Sequence, residues 1–229
     1  MPIGRRLSPQ DRVKFRANIP GLADAKRAAV YDVVGFAAAA TVLGPARFFT
    51  VPLGGAGVFN GAAVNKTLLQ TNLRMQGQLP AQQELETWDI RVEADLNLFS
   101  SITTPTILNN AMIAKRALLF GSFLTIQIDG KNQLELSPVA LLSAGYGPTA
   151  SGWGGINLVA AADTGGGGLF MTNGSPNRSA LWNLNPLPIV IQAGHTFEVI
   201  IETPVAVVLP AGTALNWWVH LDGVLHRAA

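Results

Sequence analysis

Glu84-Leu85-Glu86-Thr87-Trp88-Asp89-Ile90-Arg91-Val92-Glu93-Ala94-Asp95-Leu96 is the stretch that decides the fold class. Trp88, Ile90, Val92, Ala94 and Leu96 alternate with Asp89, Arg91, Glu93 and Asp95, without a break. Successive side chains leave a strand on opposite faces, so this period of two gives one apolar and one charged face. An antiparallel sheet with one buried and one solvated side imposes that pattern.

Working outward, Thr104-Pro105 opens an expected helix through Ala117, because Thr caps a helix and Pro is tolerated in its first turn. Residues 123–128 alternate again, Asp129-Gly130 supplies a turn and residues 133–136 return, which predicts a hairpin. Residues 143–185, with Gly165 to Gly168, read as long Gly-rich loops holding one or two short strands. Residues 187–191, 196–202 and 215–221 are apolar, β-branched or aromatic runs parted by turns at Ala193-Gly194 and Leu209-Pro210-Ala211-Gly212. Upstream, residues 48–53 read as a short strand before a turn at Gly54, Gly55 and Gly57. Residues 22–41 are alanine-rich and suit a helix between Gly21 and Gly44-Pro45, although Val30, Val33, Val34 and Phe36 serve a strand equally. The expected fold is all-β: an antiparallel β-sandwich or single jelly roll with an inserted short helix, long Gly-rich loops and a basic N-terminal arm. The arm with its possible helix is assigned residues 1–45 and the β domain residues 46–229.

Only 13% of the 229 residues are charged, about half the usual share, and mean hydropathy is +0.29. That leaves less polar surface than a free monomer of this size displays, and points to surface buried against neighbours. A transmembrane helix needs about 20 uninterrupted apolar residues, and the uncharged tracts here are short or broken by Gly and Pro. The start carries charge without an apolar run behind it, so a secretory signal is not expected and synthesis in the cytosol is. Cysteine is absent, which removes disulfides, thiol catalysis and thiolate metal sites. Residues 1–27 hold Arg5, Arg6, Arg12, Lys14, Arg16, Lys26 and Arg27 against Asp11 and Asp24, a surplus of five positive charges. The remaining nine basic and twelve acidic residues leave the body at −3. A basic arm on a mildly acidic body suits an acidic neighbour, nucleic acid or an anionic lipid surface, or is simply a solvated terminus.

Catalytic signatures are weak. Asp163-Thr164-Gly165 matches the short aspartic-protease signature, but it occurs once and runs into four glycines, as a loop does. His195, His220 and His226 lack a nearby pattern of metal-ligating partners. Gly165 to Gly168 have neither the Lys nor the hydroxyl of a phosphate-binding loop. No catalytic, cofactor or metal site is expected. Trp153, Trp182, Trp217 and Trp218 keep a carbohydrate-stacking platform open, although adjacent Trp217 and Trp218 must face opposite sides of a strand, so that one belongs to the core.

Three stretches carry a resemblance: Pro188-Ile189-Val190-Ile191-Gln192-Ala193-Gly194-His195-Thr196-Phe197-Glu198-Val199, then Leu209-Pro210-Ala211-Gly212-Thr213, then Val219-His220-Leu221-Asp222-Gly223. With Thr71-Asn72-Leu73-Arg74-Met75-Gln76-Gly77-Gln78-Leu79-Pro80 before the Glu84 strand, the order of elements over residues 46–227 resembles the jelly-roll capsid proteins of non-tailed bacterial viruses. The resemblance implies a non-enzymatic virion protein, made in the host cytoplasm, that self-assembles into a shell with many copies of itself and with other virion proteins. It implies no cofactor and no small-molecule substrate. Arg5, Arg6, Arg12, Lys14 and Arg16 would then meet neighbouring subunits, genome or an internal membrane. The alternative is a receptor- or carbohydrate-binding virion appendage on a lectin-like sandwich.

Overall fold

The computed structural model describes residues 22–97, 105–136, 149–153, 168–172, 182–184 and 188–228. Its strands are β1 (Leu22–Phe36), β2 (Thr41–Phe48), β3 (Ala56–Phe59), β4 (Ala62–Asn65), β5 (Gln83–Asn97), β6 (Phe123–Ile128), β7 (Lys131–Leu136), β8 (Thr149–Trp153), β9 (Gly168–Thr172), β10 (Trp182–Asn183), β11 (Ile189–Ile191), β12 (Phe197–Val208) and β13 (Ala214–Ala228). Among the described residues one helix, α1 (Pro105–Gly121), separates β5 from β6.

Two antiparallel sheets form the body. The first runs β1-β13-β5-β10, with β11 also on β5; the second runs β2-β12-β6-β7. Alternation puts Ile90, Val92, Ala94, Trp217, Val219 and Leu221 of the first sheet against Val42, Phe48, Leu124, Ile126, Val199 and Ile201 of the second, in one shared core. Helix α1 contributes Ala111, Ala114, Leu118 and Leu119 to it, the i, i+3, i+7, i+8 stripe of an amphipathic helix. The fold is therefore an all-β, antiparallel sandwich with one helix inserted.

Residues 22–36, where a helix is the favoured reading of the alanines, form a strand instead. Pairing with β13 runs from Leu22↔Ala228 to Phe36↔Leu215 and suits the β-branched and aromatic residues, which outweighs alanine's weak helix preference. The strand expected at residues 48–53 lies earlier, at β2, because the chain leaves the sheet at Phe49 with φ +66°. Helix α1 starts at Pro105 as expected but continues to Gly121, four residues past Ala117. The alternation of β5 also carries a fault: Asp222 pairs with Asp89 and Gly223 with Thr87, so Trp88 is an extra residue in the ladder. Backbones come so close there that a Cβ on Gly223 would stand 2.0 Å from the Glu86 carbonyl oxygen.

The free edge of β1 is occupied by a side chain. Asn72 accepts from Tyr31 N–H at 3.0 Å and donates to the Ala29 carbonyl at 2.7 Å, as a neighbouring strand would.

Candidate functional site

The sandwich has two outer faces. Across the first sheet lies the β3–β4 hairpin, which turns at Asn60-Gly61 with φ +51° and +78°, the two-residue turn that matches strand twist. Asn60 N–H donates to Asn216 Oδ1 at 2.9 Å, and Asn216 Nδ2 donates back to Asn60 Oδ1 at 2.7 Å. Phe59 meets the Trp218 ring edge-on at 5.9 Å. Gly35 lies beneath Val58, where a Cβ would come within 2.3 Å of the carbonyl oxygen. Past the hairpin, His220 lies between Trp218 and Tyr31, with ring centroids 6.2 and 5.8 Å away. Arg91 grips Asp222 through Nε at 2.6 Å and Nη2 at 3.2 Å. Burial, and next the positive charge of Arg91, push the His220 imidazole below the ordinary histidine range, against the opposing pull of Asp222.

The segment carrying this hairpin is tied down by a buried ion pair. Asp32 accepts from Lys66 Nζ on one oxygen and from Phe49 N–H on the other, both at 2.6 Å, and both side chains are almost wholly buried. Burial raises the Asp32 carboxyl above the usual carboxylate range, although Lys66 draws it down.

The second sheet keeps an outer face that is exposed or half-exposed. At one end its side chains are polar, and Arg47 Nη1 meets both oxygens of Glu198 at 2.7 and 2.8 Å. At the other end large apolar side chains are exposed beside Thr41 and the half-exposed Glu202. The pairing of β12 with β2 breaks between Thr203 and Val207, which turns Val205 outward at 70% exposure. Leu43 and Val208, on the outer side of β2 and β12, are 60% and 65% exposed. Ser122, hydrogen-bonded to Thr203 at 2.9 Å, brings the end of α1 to this bulge, with Phe120 and Phe123 on either side of it and also exposed. Leu43, Val205 and Val208, with Phe123 opposite Glu202 on the neighbouring strand and Phe120 at the end of α1, are the exposed apolar side chains around this bulge, an apolar ledge where alternation and helix periodicity call for polar groups.

The residues singled out in the sequence are distributed as follows. Arg5, Arg6, Arg12, Lys14 and Arg16 lie outside the described residues, as does Asp163. Of the four-glycine run, Gly168 begins β9. His195 bonds through Nδ1 to Asp129, and that bond holds the Asp129 carboxyl below the usual range. His226 is buried, with Nε2 3.3 Å from Glu86. Among the described residues no three His, Asp or Glu side chains converge as metal ligands, and no helix is long and apolar enough to cross a membrane. Trp217 is fully buried in the core and Trp218 packs against Phe59 and His220, so neither offers a free stacking face.

Sequence reading passes over the β3–β4 hairpin and the ledge. The β3–β4 hairpin was signalled by Asn60-Gly61, a strong two-residue turn signal. The ledge has no local motif, because its members come from four separate elements. Among known proteins, the chain matches no family model, no curated sequence and no solved structure.

Proposed function

We propose that this chain is a structural subunit that assembles with copies of itself into a virus shell, and that its sandwich is a single jelly roll. Strand order supports the architectural part. With β10 and β11 taken as one strand and the small β3–β4 and β8–β9 hairpins set aside, eight strands remain. They pair first with eighth, second with seventh, third with sixth and fourth with fifth, as the two arms of one long hairpin. Wrapping that hairpin sets the eighth strand beside the third and the seventh beside the fourth, as a jelly roll requires.

The observation that carries the function is the apolar ledge on the second sheet, in a chain with 13% charged residues. Five large apolar side chains facing water are costly for a monomer, and burial against another copy removes that cost at about 25 cal/mol per Å². The basic residues Arg5, Arg6, Arg12, Lys14 and Arg16 would meet genome, lipid headgroups or neighbouring subunits in the virion. Negative-stain microscopy of the purified chain tests the assembly reading: closed particles or ordered sheets are expected, and a lone globule at high concentration contradicts it. Deleting residues 1–20 separates the arm's role, because the arm reading expects impaired assembly or genome retention and an unchanged particle removes it.

A further inference from the structure

We propose that the cleft beside the 75–78 turn binds a neutral, hydroxyl-rich ligand, of the class of an uncharged oligosaccharide. The cleft holds about 490 Å³, within the range of about 300–1,000 Å³ typical of small-molecule sites. It lies at the polar end of the second sheet, away from the ledge, and the inference stands independently of assembly.

Its floor is backbone held from two sides. Gly77 N–H donates to the Phe49 carbonyl at 2.8 Å, and Phe197 N–H donates to the Gly77 carbonyl at 2.7 Å. Gly77 has φ +58°, and a Cβ there would stand 3.1 Å from the Phe197 carbonyl oxygen. One wall is fixed by Asp129, which accepts from Thr196 N–H at 2.9 Å and from the Thr196 hydroxyl at 3.2 Å, while its own N–H donates to the Thr196 carbonyl at 2.8 Å.

The lining selects the ligand class. Gln76 and Gln78 present amides able to donate and accept, the Thr50 and Thr196 hydroxyls, which already donate to the Arg47 carbonyl and to Asp129, keep lone pairs to accept, and Met75 adds an apolar contact. Gln127 Nε2 donates one N–H to Asn132 Oδ1 at 2.8 Å and keeps its second N–H and its oxygen for a ligand. Among the described lining residues Glu198 is the one ionised side chain, with both its oxygens held by Arg47, and the Asp129 carboxylate behind Thr196 is bonded to His195. Among the described residues no cation lines the cleft to recognise phosphate or carboxylate, and one neutralised carboxylate is too few for a divalent cation. A mixed donor and acceptor surface without net charge complements sugar hydroxyls.

The test is an array of neutral and acidic glycans probed with the full chain, followed by titration of the best neutral ligand by saturation-transfer NMR. Retention of neutral glycans is expected, with Gln76→Ala/Gln78→Ala weakening binding by about tenfold or more. Those side chains are exposed or half-exposed and circular dichroism checks the fold; Thr50→Val replaces the pair if the double variant does not fold. Retention of acidic glycans alone, no retention at all, or unchanged affinity in the folded variant overturns the proposal.

Discussion

The two outer faces of this sandwich start from the same alternating strands and end differently. The first is covered in part by the chain itself, through a hairpin seated on Gly35, locked by Asn60 and Asn216, and anchored by Asp32 and Lys66. The second presents Leu43, Val205 and Val208 to its surroundings. The outer face of the first sheet is mostly polar, with Arg91, Glu93, Asn216 and Asp222 on it, and its aromatic patch at Trp218 is met by the hairpin. The exposed apolar side chains of the second sheet have no such cover from the described residues, and the proposed function gives them a partner.

Substitutions break or sharpen this contrast, and the largest effect belongs to the anchor. Lys66→Met leaves the Asp32 carboxylate buried without its cation and should lower stability by about 3–5 kcal/mol. Urea denaturation measures this, and Asp32→Asn combined with Lys66→Met should recover most of the loss. Next comes Gly35→Ala, which drives a methyl into the Val58 carbonyl and should cost about 1–3 kcal/mol while lifting the hairpin. Gly44→Ala on the second sheet meets open space and incurs only the strain of φ +76°, about 1–2 kcal/mol, without disturbing a cover. Thermal melts with amide exchange of residues 56–65 distinguish the two.

A smaller effect follows from His220. Its folded-state pKa lies below the unfolded value, so its contribution is present above about pH 6.5 and is lost as pH falls through the folded value. Denaturation midpoints should therefore drop from about pH 7 to about pH 5, and His220→Phe should flatten part of that slope. The smallest effect on folding belongs to the bare face: Leu43→Lys and Val205→Lys should each stay within about 0.5 kcal/mol of the parent.

Sequence reading and structure agree where the signal is local. The alternation of residues 84–96 identified β5, and Asp129-Gly130 identified the β6–β7 turn, with φ +50° and +71°. The closing runs correspond to β11, β12 and β13. Residues 22–36 were ambiguous because alanine propensity is weak and the strand is decided by β13, almost the whole chain away. The bulge at Trp88 escaped because the alternation looks unbroken, and only the approach of Gly223 to Glu86 shows why the ladder slips. The Asp32–Lys66 pair and the ledge join residues distant in sequence, and no spacing rule reports them. The tryptophans were half legible: adjacency put one in the core, and the structure shows it is Trp217.

Sedimentation velocity on the parent chain and on Leu43→Lys/Val205→Lys, at matched concentration, tests the role of the second face most directly. The account predicts large species from the parent and a folded single-chain species from the variant, with equal denaturation midpoints. Parent and variant sedimenting alike, whether both large or both small, would contradict it.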